Sequence, residues 1–214
     1  MRTVVPFDPR NPNSRLAAVF DGDGGDDERE RREFAEAMLA DVLDAVRGAG
    51  GEPELLATAS VDRDVGVPVS VDDRSLSVAV QDVLDEEALP VAVVMADLAL
   101  ATPDCVGRLF DADGDVVIAP GTAGGTNALV VREPGFAVDY HGASFRDHVA
   151  AAERAGLDVT TVDSFRLAVD VDDEQDLVDV LVHGGTDSRA ADWLADAGYA
   201  LAVRDGEPVV EPND

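Results

Sequence analysis

The chain has 214 residues and a formal net charge of −29, from 45 acidic residues against 16 basic ones that are all arginine. A surface this negative repels nucleic-acid phosphates and anionic lipid heads, so neither is expected as a partner. Hydrophobic residues make up 46% of the sequence and fall in ordered runs, which excludes a disordered chain and points to one main domain of roughly 150–200 residues.

Thr3 to Phe7 reads as a strand. Residues 8–27, rich in Pro, Gly, Asn and Asp, are expected to stay out of the core. From Glu28 to Arg47 the spacing of Phe34, Met38, Val42 and Val46 predicts a helix, which Gly48 and Gly50 end. Strands follow at Leu55 to Ala59 and Gly66 to Val71, and a helix at Leu76 to Leu84. Val91 to Ala96 is apolar on both faces, as a central strand covered by helices requires, and Asp97 follows it directly. Further strands are expected at Val116 to Ala119 and Asn127 to Arg132, and a helix at Ser144 to Ala155. A strand at Leu167 to Val171 then leads into a helix from about Asp173 to Val182. Strand and helix in this alternation argue for an α/β domain with a mostly parallel sheet. We place that domain at residues 1–186. Residues 187–214 form an appendage of a helix and a hairpin, with Asp205-Gly206 as the turn.

The one cysteine, Cys105, permits no intramolecular disulfide and fits a reducing cytoplasm. No signal peptide is expected, and no apolar stretch approaches the roughly 20 residues of a membrane span. Thirty-two aspartates without a single lysine suit a cytosol held at high salt. At about 1 M salt the Debye length is about 3 Å and self-repulsion fades. An ordinary acidic protein from a GC-rich genome is the alternative.

Five places stand out for chemistry. Asp97 lies where open α/β sheets bind ligands, beyond the carboxyl end of a buried strand, and a carboxylate there suits Mg²⁺. A turn or helix-cap aspartate is the plain alternative. Asp170 and Asp172, spaced by two, share a face if the preceding strand reaches them, while Asp172 with Gln175 also fits a capping box. Gly124-Gly125-Thr126 sits in a Gly-rich loop that permits close backbone approach to an anion, or is simply a turn. Gly142 and Ser144 precede a helix whose start is a natural anion site, with Ser144 and Asp147 spaced as a capping box. Arg146 or His148 adds charge there, or faces solvent. Ser14-Arg15 follows the first strand, where a phosphate loop belongs, and Arg15 offers a bidentate fork. Walker, Rossmann, HExxH and CxxC motifs are absent.

In order along the chain, Val5-Pro6-Phe7, Asn13-Ser14-Arg15-Leu16, Val94-Met95-Ala96-Asp97, Gly124-Gly125-Thr126-Asn127, Tyr140 to Phe145 with His148, and Asp170-Val171-Asp172 form a set. With this set the sequence resembles the 2-phospho-L-lactate guanylyltransferase family of coenzyme F420 biosynthesis, in its haloarchaeal form, from about residue 2 to 185. The resemblance implies a GT-A-like nucleotidyltransferase fold, with a twisted mixed sheet between helices. It implies that 2-phospho-L-lactate attacks the α-phosphorus of GTP and pyrophosphate leaves, related members using phosphoenolpyruvate or 3-phosphoglycerate. It further implies Mg²⁺ on Asp97 and on one or both of Asp170 and Asp172, with Asp97 and Arg15 as catalytic residues. Ser14, Gly124, Gly125, Thr126, Gly142 and Ser144 are the implied substrate-binding residues, and a homodimer the implied assembly. Many members have lysine just before Ser-Arg-Leu, where this chain has Asn13. A different small-molecule nucleotidyltransferase, or a binding module without catalysis, are the competing readings.

Overall fold

A computed structural model describes residues 1–20, 27–61, 63–86 and 89–213. The strands β1 (Arg2–Phe7), β2 (Glu52–Ala57), β3 (Val69–Val71), β4 (Val91–Val94), β5 (Val116–Pro120), β6 (Thr126–Val131) and β7 (Val159–Thr161) make one seven-stranded sheet, ordered β3-β2-β1-β4-β6-β5-β7. Pairing is parallel except at β6, which runs antiparallel to both β4 and β5. The chain builds outward from β1 to β3 and then crosses back to β4 on the other side of β1. The reversal leaves a crevice beyond the carboxyl ends of β1 and β4, the place where open sheets bind ligands.

Both faces of the sheet are covered, which is why β4, β5 and β6 are apolar throughout and almost wholly buried. On one face α2 (Asp27–Gly48) lays Phe34, Met38, Leu39, Val42 and Val46 into the core, beside α4 (Pro103–Asp111) and α7 (Glu174–His183). The other face holds a smaller core under α3 (Leu76–Glu86) and α5 (Ser144–Ala155). Among the described residues, no helix is long and apolar enough to cross a membrane.

Several expectations shift. Within the stretch read as too polar for the core, a 3₁₀ turn (Ser14–Leu16) and α1 (Ala17–Phe20) bury Leu16 and Phe20 at 0% and 1% exposure. These two apolar residues, four apart, form a one-sided helical face inside a polar context. Residues 21–26 of that stretch lie outside the described residues. Leu167 to Val171 is not a strand: α6 (Phe165–Ala168) occupies its first half. The flanks of β5 are already filled by β6 and by β7, leaving no edge for another strand there. The carbonyls of Leu167 and Ala168 instead accept from the Asn127 side chain. Sequence reading did not anticipate β7 and α4, although Thr102-Pro103 is a helix-start signal and Thr102 caps α4.

Beyond α7, α8 (Arg189–Asp196) packs on α2, and β8 (Tyr199–Arg204) pairs with β9 (Glu207–Pro212) in a hairpin of its own. Asp205 and Gly206 take φ of 54° and 89°, as a tight two-residue hairpin turn demands. Asp41 of α2 accepts from the backbone N–H groups of Arg189 at 2.9 Å and Ala190 at 3.0 Å, so one helix caps another. Phe20 lies edge-on to Phe34, Trp193 and Tyr199, with centroids 5.4–5.7 Å away.

Candidate active site

Asp97 stands just past β4 in the crevice, and two adjoining cavities share it together with Met95. The first, of about 190 Å³, runs along Pro6, Phe7, Asp8, Asn11 and Asn13 and reaches Asp172. The second, of about 240 Å³, is lined by Gly125, Thr126, Asn127, Gly142, Ser144 and Asp170. One carboxylate therefore joins a cavity under the N-terminal loop to a cavity under the Gly-rich loop and the start of α5.

The Asp97 Oδ1 is enclosed and has no hydrogen-bond partner. Burial first, and then the nearby carboxylates Asp170 and Asp172, push the Asp97 carboxyl up to about 7. Burial and Asp170 raise Asp172 as well, against the pull of Arg15. Among the described residues, no three His, Cys, Asp or Glu side chains are grouped to hold a metal ion. The acids are thus neighbours that repel one another, short of a closed ligand shell. Mg²⁺ asks for less than a closed shell, one or two carboxylates plus substrate phosphates. An unpartnered buried carboxylate oxygen beside two further acids fits that requirement.

The segment from Asp170 to Asp172 carries no ladder and is held by one backbone bond and by side chains from elsewhere. Val171 N–H donates to the Asp97 carbonyl at 3.1 Å. The Asn13 amide donates to the Val171 carbonyl at 2.6 Å, and the Asn127 amide to Asp170 Oδ1 at 3.1 Å. Arg15 pairs with Asp172 at 3.1 Å, both side chains being well exposed. Asp170 and Asp172 are therefore placed by these tethers rather than by a shared strand face. Nor does Asp172 cap α7: the cap is Asp173, with Asp176 reaching back to the Asp172 and Asp173 N–H groups.

At the start of α5, Ser144 is inside the helix and caps nothing. Its Oγ accepts from Thr126 N–H at 3.0 Å. The next two amides, of Phe145 and Arg146, are engaged by the Gly124 and Ala143 carbonyls. Two of the helix-start amides are thus spent within the protein, and the Thr126 and Ser144 hydroxyls stand at this edge. Gly124 takes φ of 88°, a left-handed turn that glycine permits, and stands behind the cavity lining. Ser14 is exposed and lines neither cavity. Arg146 is exposed, but His148 is fully buried, which corrects its reading as a source of charge. Burial holds the His148 imidazolium down to about 4, against the attraction of Asp139 and Asp147. Its ring nitrogens meet Thr126 Oγ1 at 2.9 Å and the Asp139 N–H at 2.8 Å.

Sequence reasoning missed the tethers Asn13 and Asn127. Their only local signal was Asn within a Pro- and Asn-rich stretch and Asn directly after Gly-Gly-Thr, far in sequence from Val171 and Asp170.

The sequence matches the family described as "Guanylyl transferase CofC like" over residues 1–209. The chain belongs to this family. A curated relative from Halobacterium salinarum, named 2-phospho-L-lactate guanylyltransferase, is 62% identical over 100% of both chains. Another of that name, from Haloferax volcanii, is 58% identical over 96% of each. Among solved structures, a nucleotide-diphospho-sugar transferase from Desulfovibrio desulfuricans G20 superposes with a TM-score of 0.66 at 14% identity, covering 91% of this chain and 94% of that one. A nucleotidyl transferase from Methanothermobacter gives 0.55 at 15% identity, covering 86% and 97%. These two likenesses carry the GT-A-like nucleotidyltransferase fold. The family match extends past residue 185 and takes in most of the C-terminal helix and hairpin. Within the family frame, Asn13 has a local physical reason. It adopts left-handed φ and ψ of 46° and 49°, which Asn tolerates better than most side chains, while its amide reaches Val171.

Proposed function

We propose that the protein joins GTP and 2-phospho-L-lactate to give lactyl-2-diphospho-5′-guanosine and pyrophosphate, in coenzyme F420 biosynthesis in the cytoplasm. The observation that carries the site assignment is the enclosed, unpartnered Asp97 Oδ1 at the sheet's reversal point, shared by two cavities. An anionic donor and an anionic acceptor must meet in a protein of net charge −29, so the local sign has to be reversed where they react. Asp97 and Asp170 would hold Mg²⁺, with Asp172 joining them when Arg15 turns from it to the triphosphate. The chemistry that Mg²⁺ supplies there is neutralisation of phosphate oxygens.

The phospho-acid belongs in the cavity of Thr126, Gly142 and Ser144, where the Thr126 and Ser144 hydroxyls hold it. The triphosphate belongs under the N-terminal loop. A phosphate oxygen of the acid forms a bond to the α-phosphorus, and the α–β bridging P–O bond breaks with its electron pair leaving on pyrophosphate. The attacking phosphate is already ionised, so no side chain has to remove a proton. Positioning and charge neutralisation are the protein's whole task.

The test is pyrophosphate release from purified protein in about 2 M KCl, where exposed charges are screened, with Mg²⁺, GTP and each of 2-phospho-L-lactate, phosphoenolpyruvate and 3-phosphoglycerate. Release is expected with 2-phospho-L-lactate above the other two, and absence of release with all three overturns the reading. The homodimer belongs to the same proposal and is measured by sedimentation in the same salt.

A further inference from the structure

The cavity edge formed by Thr126 and Ser144 has a hydrogen-bond polarity that is already decided. Asp139 N–H lies 2.8 Å from His148 Nε2, and a backbone N–H can only donate. Nε2 therefore accepts and carries no proton, so the neutral ring has its proton on Nδ1. Nδ1 lies 2.9 Å from Thr126 Oγ1, which makes Nδ1–H the donor and Oγ1 the acceptor. The Thr126 hydroxyl hydrogen is then left without an acceptor among the described residues. Ser144 Oγ is likewise used as an acceptor, by Thr126 N–H at 3.0 Å, and its own hydrogen has no acceptor among the described residues. The ring cannot turn freely, because Phe136 and Tyr140 stand edge-on to it with centroids 5.8 and 5.0 Å away.

We propose that His148 is a positioning residue that fixes the Thr126 hydroxyl as a donor into the cavity, so that this edge offers two hydroxyl donors and selects the acceptor oxygens of a phosphate or carboxylate. The inference rests on the phospho-acid lying in that cavity, as argued above. A doubly protonated ring sets an Nε2–H against the Asp139 N–H, two donors facing each other. Burial guards against that state, while Asp139, Asp147 and His141 act on the ring's charge and the phenol of Tyr140 packs against it.

The test compares three substitutions at His148 with one at Thr126, reading KM for the phospho-acid and for GTP separately. Asn places an amide near Nδ1, and Gln places one near Nε2. His148→Phe and His148→Gln are expected to raise the phospho-acid KM about 10-fold or more, the scale of a lost hydrogen bond to a charged group, with the GTP KM unchanged. His148→Asn, which can still donate to Thr126, should recover most of the loss. The double variant of His148→Phe with Thr126→Val should be no worse than Thr126→Val alone. Equal effects of Asn and Gln, or parallel changes in both KM values, overturn the proposal and leave His148 a packing residue. Should the Phe variant fail to fold, the Asn and Gln pair decides by itself. A Thr126→Val variant with unchanged phospho-acid KM sinks the cavity assignment. A raised KM there, with no effect at His148, removes only the role of His148.

Discussion

At the scale of single residues, one carboxylate concentrates the conflict between stability and function. Asp97 is pushed up to about 7 from an ordinary 3.8, so between about pH 4 and 7 the folded state binds a proton that the unfolded state has lost. Its contribution to stability falls as pH rises through that window. Asp97→Asn should therefore melt higher than the parent at pH 8 in EDTA, with the gap closing at pH 5. The same variant should lose at least about 100-fold in activity, as loss of a central electrostatic group does. Added Mg²⁺ should raise the parent's Tm and leave the variant's unmoved. His148 has the opposite sign. Its folded value of about 4 lies below the ordinary 6.5, so its stabilising contribution is present above pH 6.5 and lost as pH falls toward 4. Asn127→Ala removes the amide that holds Asp170 and the two carbonyls of α6. It should cost about 1–3 kcal/mol, the penalty for unpairing buried polar groups. Denaturant unfolding measures that loss, and kcat should fall with it as Asp170 loosens.

At the scale of elements, the C-terminal helix is bound to the body by a cap from another helix. Asp41 is 8% exposed and serves the Ser188 hydroxyl and the N–H groups of Arg189 and Ala190. Asp41→Ala leaves those donors unpaired in a largely enclosed place and should destabilise by about 1–2 kcal/mol, as the loss of a helix cap does. The substitution lies away from both cavities, so KM for GTP and for the phospho-acid should stay at parental values. The aromatic group of Phe20, Phe34, Trp193 and Tyr199 adds apolar contact to that polar cap. The tail is thus joined through Phe20 to α1, which directly follows the 3₁₀ turn that carries Arg15.

At the scale of the whole molecule, the 45 acidic residues outnumber the arginines almost three to one. Among the described residues a few converge on the crevice and most of the others are at least partly exposed, several of them paired with arginines along α2 and α4. Exposed pairs of this kind contribute little each. The net −29 remains as self-repulsion, which salt screens. Tm should rise steeply between about 0.1 and 2 M KCl, as the Debye length falls from about 10 Å toward 3 Å and below. A flat Tm over that range would remove the high-salt reading of the composition.

The alternation of buried strand and amphipathic helix made the α/β class legible, because burial on two faces and helical periodicity are local properties of sequence. Asp97 was legible for the same reason, as a carboxylate immediately after a strand apolar on both faces. So were Thr126 and Ser144, through glycine-rich and helix-start patterns, although the hydrogen bond between them was not. What the sequence alone left open was decided by contacts across more than a hundred positions or between neighbouring layers. Leu167 to Val171 is apolar enough for a strand, but the edge it needed was already occupied by β7. Asn13 looks like an ordinary loop residue and Asn127 like an ordinary strand residue until their amides are seen on Val171 and Asp170. His148 reads from sequence as a charge or a solvent-facing residue, because nothing in its own helix shows that Asp139 donates to it and that it meets Thr126. Periodicity and turn chemistry are written along the chain; the tautomer of a ring, the pairing of a buried carboxylate and the free edge of a sheet exist only once the chain is folded on itself.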